Sequence, residues 1–169
     1  MSTTRVGTRL LGAGSVIQSV YAQLTGAGNV TVTNPMTTSG TPPLTQSMGG
    51  LILSAAITPK SATSLLRVDC HVQIDSTFTG YITVIGVYRD SGNAVSVGMY
   101  YPGNTAPSGR MSIQYQVVAG STAATTFYLR GGPHATTGSV TFGNQTNSTS
   151  GVGGSDVVGT TMTVTEIAA

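Results

Sequence analysis

The sequence YITVIGVYRDSGNAVSVGMYY, residues 81–101, predicts a β-hairpin and decides the fold class. Two runs rich in β-branched and aromatic residues flank residues 90–93, Asp-Ser-Gly-Asn, which can supply the positive φ that a tight reversal needs. Apolar residues occupy both alternating faces of the first run: Ile82, Val84 and Tyr88 on one, and Tyr81, Ile85 and Val87 on the other. This pattern is typical of a strand covered on both sides, so a second layer is required.

Short strand-like runs continue along the rest of the chain. Residues 65–74, LLRVDCHVQI, alternate most clearly, with Leu66, Val68, Cys70, Val72 and Ile74 on one face and Leu65, Arg67, Asp69, His71 and Gln73 on the other. The other predicted strands are 16–24, 30–33, 51–57, 111–118, 125–130, 139–142 and 157–167. Strands at this spacing, without a useful amphipathic helix, predict an all-β fold: an antiparallel β-sandwich that is jelly-roll-like.

The chain divides into an arm and one domain. Residues 1–14 lack a periodic pattern and are predicted to form a short extended N-terminal arm, and residues 15–169 form the β-sandwich domain. Residues 36–50 contain three glycines and two prolines, which predicts a long surface loop.

Composition argues against several function classes. Only 7% of the residues are charged, the net charge is +2, and the basic residues are scattered, so a nucleic-acid partner is not expected. No apolar run approaches the roughly 18 residues of a membrane-spanning helix, so we expect a soluble protein with no membrane partner. Cys70 has no second cysteine to pair with and is interpreted as a small buried hydrophobe.

The residues that usually carry catalysis are few and dispersed. His71 and His134 have no metal-ligand partner at short spacing, and His71 is interpreted as a surface or interface residue. The carboxylates stand singly on different elements: Asp69, Asp75, Asp90, Asp156 and Glu166. We therefore predict no enzymatic activity, no metal and no cofactor. The alternative is a polysaccharide depolymerase that uses Asp75 and Asp156 as its paired carboxylates.

Four stretches together resemble a β-sandwich module of tailed-bacteriophage virion proteins, found in capsid decoration (cement) proteins and at tail-fibre tips. They are GSVIQ (14–18), ITPKSATSLL (57–66), VYRD (87–90) and TMTVTEI (161–167). The resemblance covers about residues 14–167. It implies a virion location, a homotrimer, and neither catalysis nor a cofactor.

Two roles follow from the resemblance. The module here follows Met1 after a short arm, with no fibre shaft, which favours a decoration protein bound to the major capsid protein or another virion protein. Its candidate anchoring residues are Arg5, Arg9, Val16 and Ile17.

The alternative is a tail-fibre or head-fibre tip that binds a host receptor or surface glycan through loops 37–50, 100–110 and 144–155. Its candidate recognition residues are Tyr100, Tyr101, Asn104, Asn144 and Asn147. For the tyrosines we favour the simpler interpretation, that they are core and rim aromatics of a sandwich.

Overall fold

A computed structural model describes residues 12–24, 29–37, 43–76, 82–101, 108–134, 138–143 and 159–169, except for the side chains of residues 75, 76 and 108. Within these ranges the chain forms ten strands: β1 (Val16–Gln23), β2 (Val30–Val32), β3 (Gly50–Ile57), β4 (Leu65–Ser76), β5 (Thr83–Arg89), β6 (Ala94–Tyr100), β7 (Ser108–Val118), β8 (Thr125–Pro133), β9 (Val140–Phe142) and β10 (Thr161–Ile167). In the same ranges no helix is long and apolar enough to cross a membrane.

The strands form two antiparallel sheets that pack face to face. The first contains β1-β10-β4 with β7 on the far side of β4. The short strand β9 pairs with the last residues of β4, past the end of β10, and β2 pairs with β9. The second has the order β3-β8-β5-β6. Numbered without β2 and β9, the eight main strands run 1-8-3-6 and 2-7-4-5, which is the strand order of a jelly roll. The predicted all-β, jelly-roll-like sandwich is confirmed. The predicted arm lies outside the described residues except for residues 12–14.

The main core lies between the two sheets. The five residues predicted to share one face of β4 are all buried there, from Leu66 to Ile74, and Phe127 and Leu129 of β8 face them from the second sheet. Phe127 also packs against Tyr115 of β7, with ring centroids 6.5 Å apart and tilted by 59°. Because antiparallel strands alternate with a period of two, the opposite face of β4 remains polar.

The predicted hairpin is β5–β6, and Asp90 supplies its positive φ, at 49°. The Asp90 carboxylate accepts hydrogen bonds from the Thr125 hydroxyl and the Thr126 backbone N–H, each at 2.8 Å. These bonds tie the turn to the start of β8 and offset the conformational cost of a left-handed residue. The prediction that β5 is covered on both sides is confirmed, because Ile85 and Val87 join the main core while Val84 and Tyr88 are buried on the other face.

The cover on that other face corrects the prediction of a surface loop at residues 36–50 for the part that the structure describes, residues 36–37 and 43–50. Met36 is fully buried and Leu44 nearly so, and both pack with Val84 and Tyr88. The backbone carbonyl of Leu44 accepts a 2.9 Å hydrogen bond from Ala94 of β6, which fixes the loop to the sheet. The physical reason is that β5 is apolar on both faces, so Met36 and Leu44 of this Gly- and Pro-containing segment fold onto it.

Candidate functional site on the outer face of the first sheet

The outer face of the first sheet is polar over most of its length, and its apolar residues lie at the end where Leu65 pairs with Val118 and Ile167. β4 contributes Arg67, Asp69, His71 and Gln73, and β7 contributes Arg110, Ser112, Gln114 and Gln116. On the other side of β4, the register places Thr161 of β10 beside His71 and Gln23 of β1 beside Thr161. Alternation predicted the polar face of β4, and the pairing with β7 turns it into a surface four strands wide.

A pocket of about 170 Å³ opens on this face, between β4, β7 and the chain entering β10. Within the described part of the chain it is lined by His71, Val72, Gln73, Arg110, Met111, Ser112 and Gly159. His71 Nδ1 lies 2.9 Å from the Ser112 hydroxyl, and Arg110 Nε donates a 2.8 Å hydrogen bond to Gln73 Oε1. Gln73 is buried although its face is polar, so it holds the Arg110 guanidinium from beneath.

The neighbouring carboxylate on this face is already satisfied. Asp69 accepts 2.8 Å hydrogen bonds from Arg67 Nε on one oxygen and from Gln114 Nε2 on the other. Among the side chains that the structure describes, no carboxylate hydrogen-bonds His71 to orient its imidazole, as nucleophilic catalysis by a triad would require. In the ranges that the structure describes, no group of three or more His, Cys, Asp or Glu side chains is placed to hold a metal ion. The described lining of the pocket offers hydrogen-bonding groups and one permanent cation, Arg110.

A second buried polar arrangement lies at one end of the sandwich, around Glu166 of β10. Its carboxylate is fully buried and accepts hydrogen bonds from Gln18 Nε2 at 2.6 Å and from the backbone N–H groups of Lys60 and Ser61 at 2.8 and 3.2 Å. Burial alone would raise the pKa of Glu166, but these hydrogen bonds hold it below its ordinary value. Glu166 therefore joins β1 and the β3–β4 connection to β10 and has a structural role.

Cys70 is buried in the main core, as predicted. Burial, with a smaller contribution from the charge of Asp69, raises the pKa of its thiol to about 12. Because the thiolate is the reactive form, we expect no labelling of the folded protein by a thiol-specific disulfide reagent at pH 8 and rapid labelling in denaturant. Reaction at the same rate with and without denaturant would contradict this placement.

The structure separates the residues predicted to anchor or recognise a partner. Val16 is 60% exposed at the start of β1 and Ile17 is half-buried beside it. Tyr101 is 63% exposed, whereas Tyr100 is half-buried and packs against the main core. The remaining predicted residues, together with the carboxylate Asp156, lie outside the described residues: Arg5, Arg9, Asn104, Asn144 and Asn147.

An exposed apolar strip adjoins Tyr101 on β6, the edge strand of the second sheet. Val97 and Met99 point outward there and are 46% and 59% exposed. The sequence placed both residues in the hairpin but gave no sign that they would stand at an edge. Large apolar side chains along an edge strand are typical of a surface that another chain covers.

No family model matches the sequence, and no curated protein matches it. Among solved structures, it is similar to a sugar-binding protein, the EclA C-terminal domain, with 11% identity and a TM-score of 0.38 over 84% of this chain and 85% of that one. It is also similar to a chain in a structure of the infectious bursal disease virus Gx strain, with 15% identity and a TM-score of 0.30 over 93% of this chain and 35% of that one. Similarity at this level is confined to a shared β-rich architecture and carries no argument about function.

Sequence reasoning missed Gln73, Arg110 and Gly159 as parts of one pocket. Gln73 and Arg110 belong to separate alternating runs, and the register that sets them opposite each other pairs strands far apart in the chain. The available signal was the alternation itself, which placed Gln73 on the polar face of its strand. It did not indicate which strand lies beside it.

Proposed function

We propose that this protein is a non-enzymatic structural subunit of a bacteriophage virion, namely a capsid decoration protein that packs as a homotrimer on the major capsid protein. The observation that carries the proposal is the jelly-roll strand order combined with an exposed apolar edge at β6. Jelly rolls are used by viral capsid and lectin domains, and that fold analogy agrees with the phage-virion resemblance of the sequence.

The β6 edge supports packing against further copies of the chain. Val97, Met99 and Tyr101 are spaced two residues apart, so they form one row beside the loop that covers Val84 and Tyr88. Permanent subunit interfaces are more apolar than transient ones and avoid charge. Only 7% of this chain is charged, which suits an interface of that kind.

Placing a charge in this row should disrupt self-association. We expect the double variant Val97→Asp, Met99→Asp to sediment as a smaller species than the parent protein, because burying two carboxylates in an apolar interface is unfavourable. Ser54→Asp is the matched control, since Ser54 is exposed on β3, the opposite edge strand of the same sheet. Sedimentation velocity measures the change. A parent protein that is monomeric at tens of micromolar would contradict self-packing.

The location of the protein on intact particles tests the virion role. Labelled antibody viewed by electron microscopy should decorate the head at regular intervals. Deletion of residues 1–14 should then weaken attachment to the shell, because Arg5 and Arg9 are proposed anchors. Particles without any label would overturn the virion proposal.

A second candidate is a fibre tip that binds a host-surface glycan. The observation that favours it is the polar outer face of the first sheet, with its pocket and the exposed ring of Tyr21. Neutral hydroxyl and amide groups beside an aromatic ring match the alternating polar and apolar faces of sugars. Label confined to the tail end, or to fibres on the head, would support this role over decoration.

A further inference from the structure

We infer that the pocket on the outer face of the first sheet binds an acidic saccharide, with the carboxylate of one sugar residue held by Arg110. This goes beyond the decoration role and deepens the second candidate function, on which it rests. The site faces away from the apolar row of β6, so the two surfaces are independent.

Arg110 is oriented before any ligand arrives. Its Nε is bound by Gln73 Oε1, and the backbone N–H of the buried Gln73 is in turn satisfied by the Thr160 hydroxyl at 3.1 Å. An arginine has five N–H donors, so the terminal nitrogens remain to form the planar fork that fits a carboxylate. Preorganisation by a buried partner reduces the entropy lost when a ligand is bound.

Gly159 lines one side of the pocket. A Cβ at this position would collide with the backbone oxygen of Leu24, so glycine is required where this part of the chain passes the end of β1. The volume of about 170 Å³ is below the roughly 300–1,000 Å³ of pockets for drug-sized ligands. The pocket is therefore suited to a single small group, such as one sugar ring and its carboxylate.

The surroundings favour a saccharide over a simple anion. His71 and Ser112 line the pocket two residues along β4 and β7 from the Gln73–Arg110 pair, and they offer hydrogen-bonding groups to hydroxyls. From His71, the row continues across the sheet through Thr161 to Gln23, whose side chain accepts a 2.9 Å hydrogen bond from Tyr21.

Tyr21 itself is 59% exposed, and two strand spacings separate β1 from β4, about 10 Å. A second sugar residue, linked to the one in the pocket, could thus reach the tyrosine ring. An inorganic anion would use Arg110 alone and gain nothing from this row.

The test is calorimetric titration of the whole protein with a hyaluronan tetrasaccharide, which alternates glucuronate and N-acetylglucosamine, and with the same tetrasaccharide after reduction of its carboxyl groups. We expect millimolar or tighter binding of the acidic form and at least tenfold weaker binding of the reduced form. Equal binding of the acidic and reduced forms would overturn the inference. So would the absence of binding to both the acidic tetrasaccharide and N-acetylneuraminate. Sodium sulfate binding as tightly as the acidic tetrasaccharide would reduce the site to an anion pocket and also overturn it.

Two variants locate the site. Arg110→Gln should weaken binding of the acidic tetrasaccharide at least tenfold, and Tyr21→Ala several-fold. The control is Arg67→Gln, which removes a cation from the same face about 20 Å away, six residues along β4 from Gln73. An equal loss in Arg67→Gln would indicate non-specific attraction and refute the pocket. Ser112→Val removes a hydroxyl from the pocket lining, should also weaken binding of the acidic tetrasaccharide, and provides a second variant should Arg110→Gln fail to fold. If the protein binds the acidic tetrasaccharide but antibody labels no particles, the saccharide site is supported and the virion role is rejected, so the two proposals can fail separately.

Discussion

Replacing Glu166 by alanine should lower the free energy of unfolding by about 2–4 kcal/mol, because two backbone N–H groups and the Gln18 amide lose their acceptor in a buried site. For a domain of this size the melting temperature should fall by roughly 4–16 °C. Urea unfolding followed by circular dichroism measures the change. The control is Asp69→Asn, since the partly exposed Arg67–Asp69 ion pair should contribute no more than about 1 kcal/mol.

The same contact should make stability depend on pH. The pKa of Glu166 is lowered in the folded protein, so its stabilisation is fully present above the ordinary carboxyl pKa of about 4.3 and is lost as pH falls through the folded value. We expect the urea midpoint of the parent protein to fall more steeply below pH 4.5 than that of Glu166→Gln, which cannot titrate. Parallel pH profiles for the two proteins would show that Glu166 does not supply the carboxylate that matters.

Glu166 also explains why the resemblance predicts the fold so well. Three of the four stretches that carry it meet at this carboxylate: Gln18 from the first, Lys60 and Ser61 from the second, and Glu166 itself from the last. The fourth joins the same end, because Arg89 donates to the backbone carbonyl of Ala119 at 2.6 Å, and the Ala119 N–H donates to Ser64. These residues hold strands together, so the resemblance is informative about architecture and does not indicate which ligand, if any, the protein binds.

The strands could be predicted because their signals are local. Alternation in β4 and the Asp-Ser-Gly-Asn turn follow from neighbouring residues, and both are confirmed. The pocket could not be predicted, because Gln73 and Arg110 meet only through the register of β4 with β7. Likewise the polar face did not predict that Gln73 would be buried, which depends on the chain near Thr160 packing over it.

The loop before β3 shows where a compositional signal fails. Proline and glycine indicate where a chain turns, but they do not say what the apolar residues between them contact. Here Met36 and Leu44 close the outer face of β5, whose apolar residues on both faces had already required a second cover. The sequence showed that β5 needs a cover on its second face and that the loop before β3 contains apolar residues, but it did not show that the loop provides the cover.

Met36→Ala should therefore be among the most destabilising changes outside the main core. Met36 is fully buried against Gly49 and Gly132, and its backbone N–H donates to the Pro133 carbonyl at 2.8 Å. Truncating a buried methionine costs about 2–5 kcal/mol through lost transfer energy and the cavity that remains.

Met99→Ala is the matched control, since Met99 is 59% exposed on β6 and its truncation should change the stability of the monomer by less than about 0.5 kcal/mol. Urea unfolding of both variants at a concentration where the protein is dissociated measures the difference. A loop that only presents residues to a receptor would give similar, small effects at the two methionines. A large effect at Met36 alone would instead establish the segment as a structural layer, and the surface available for recognition would then shift from this loop to the polar face of the first sheet.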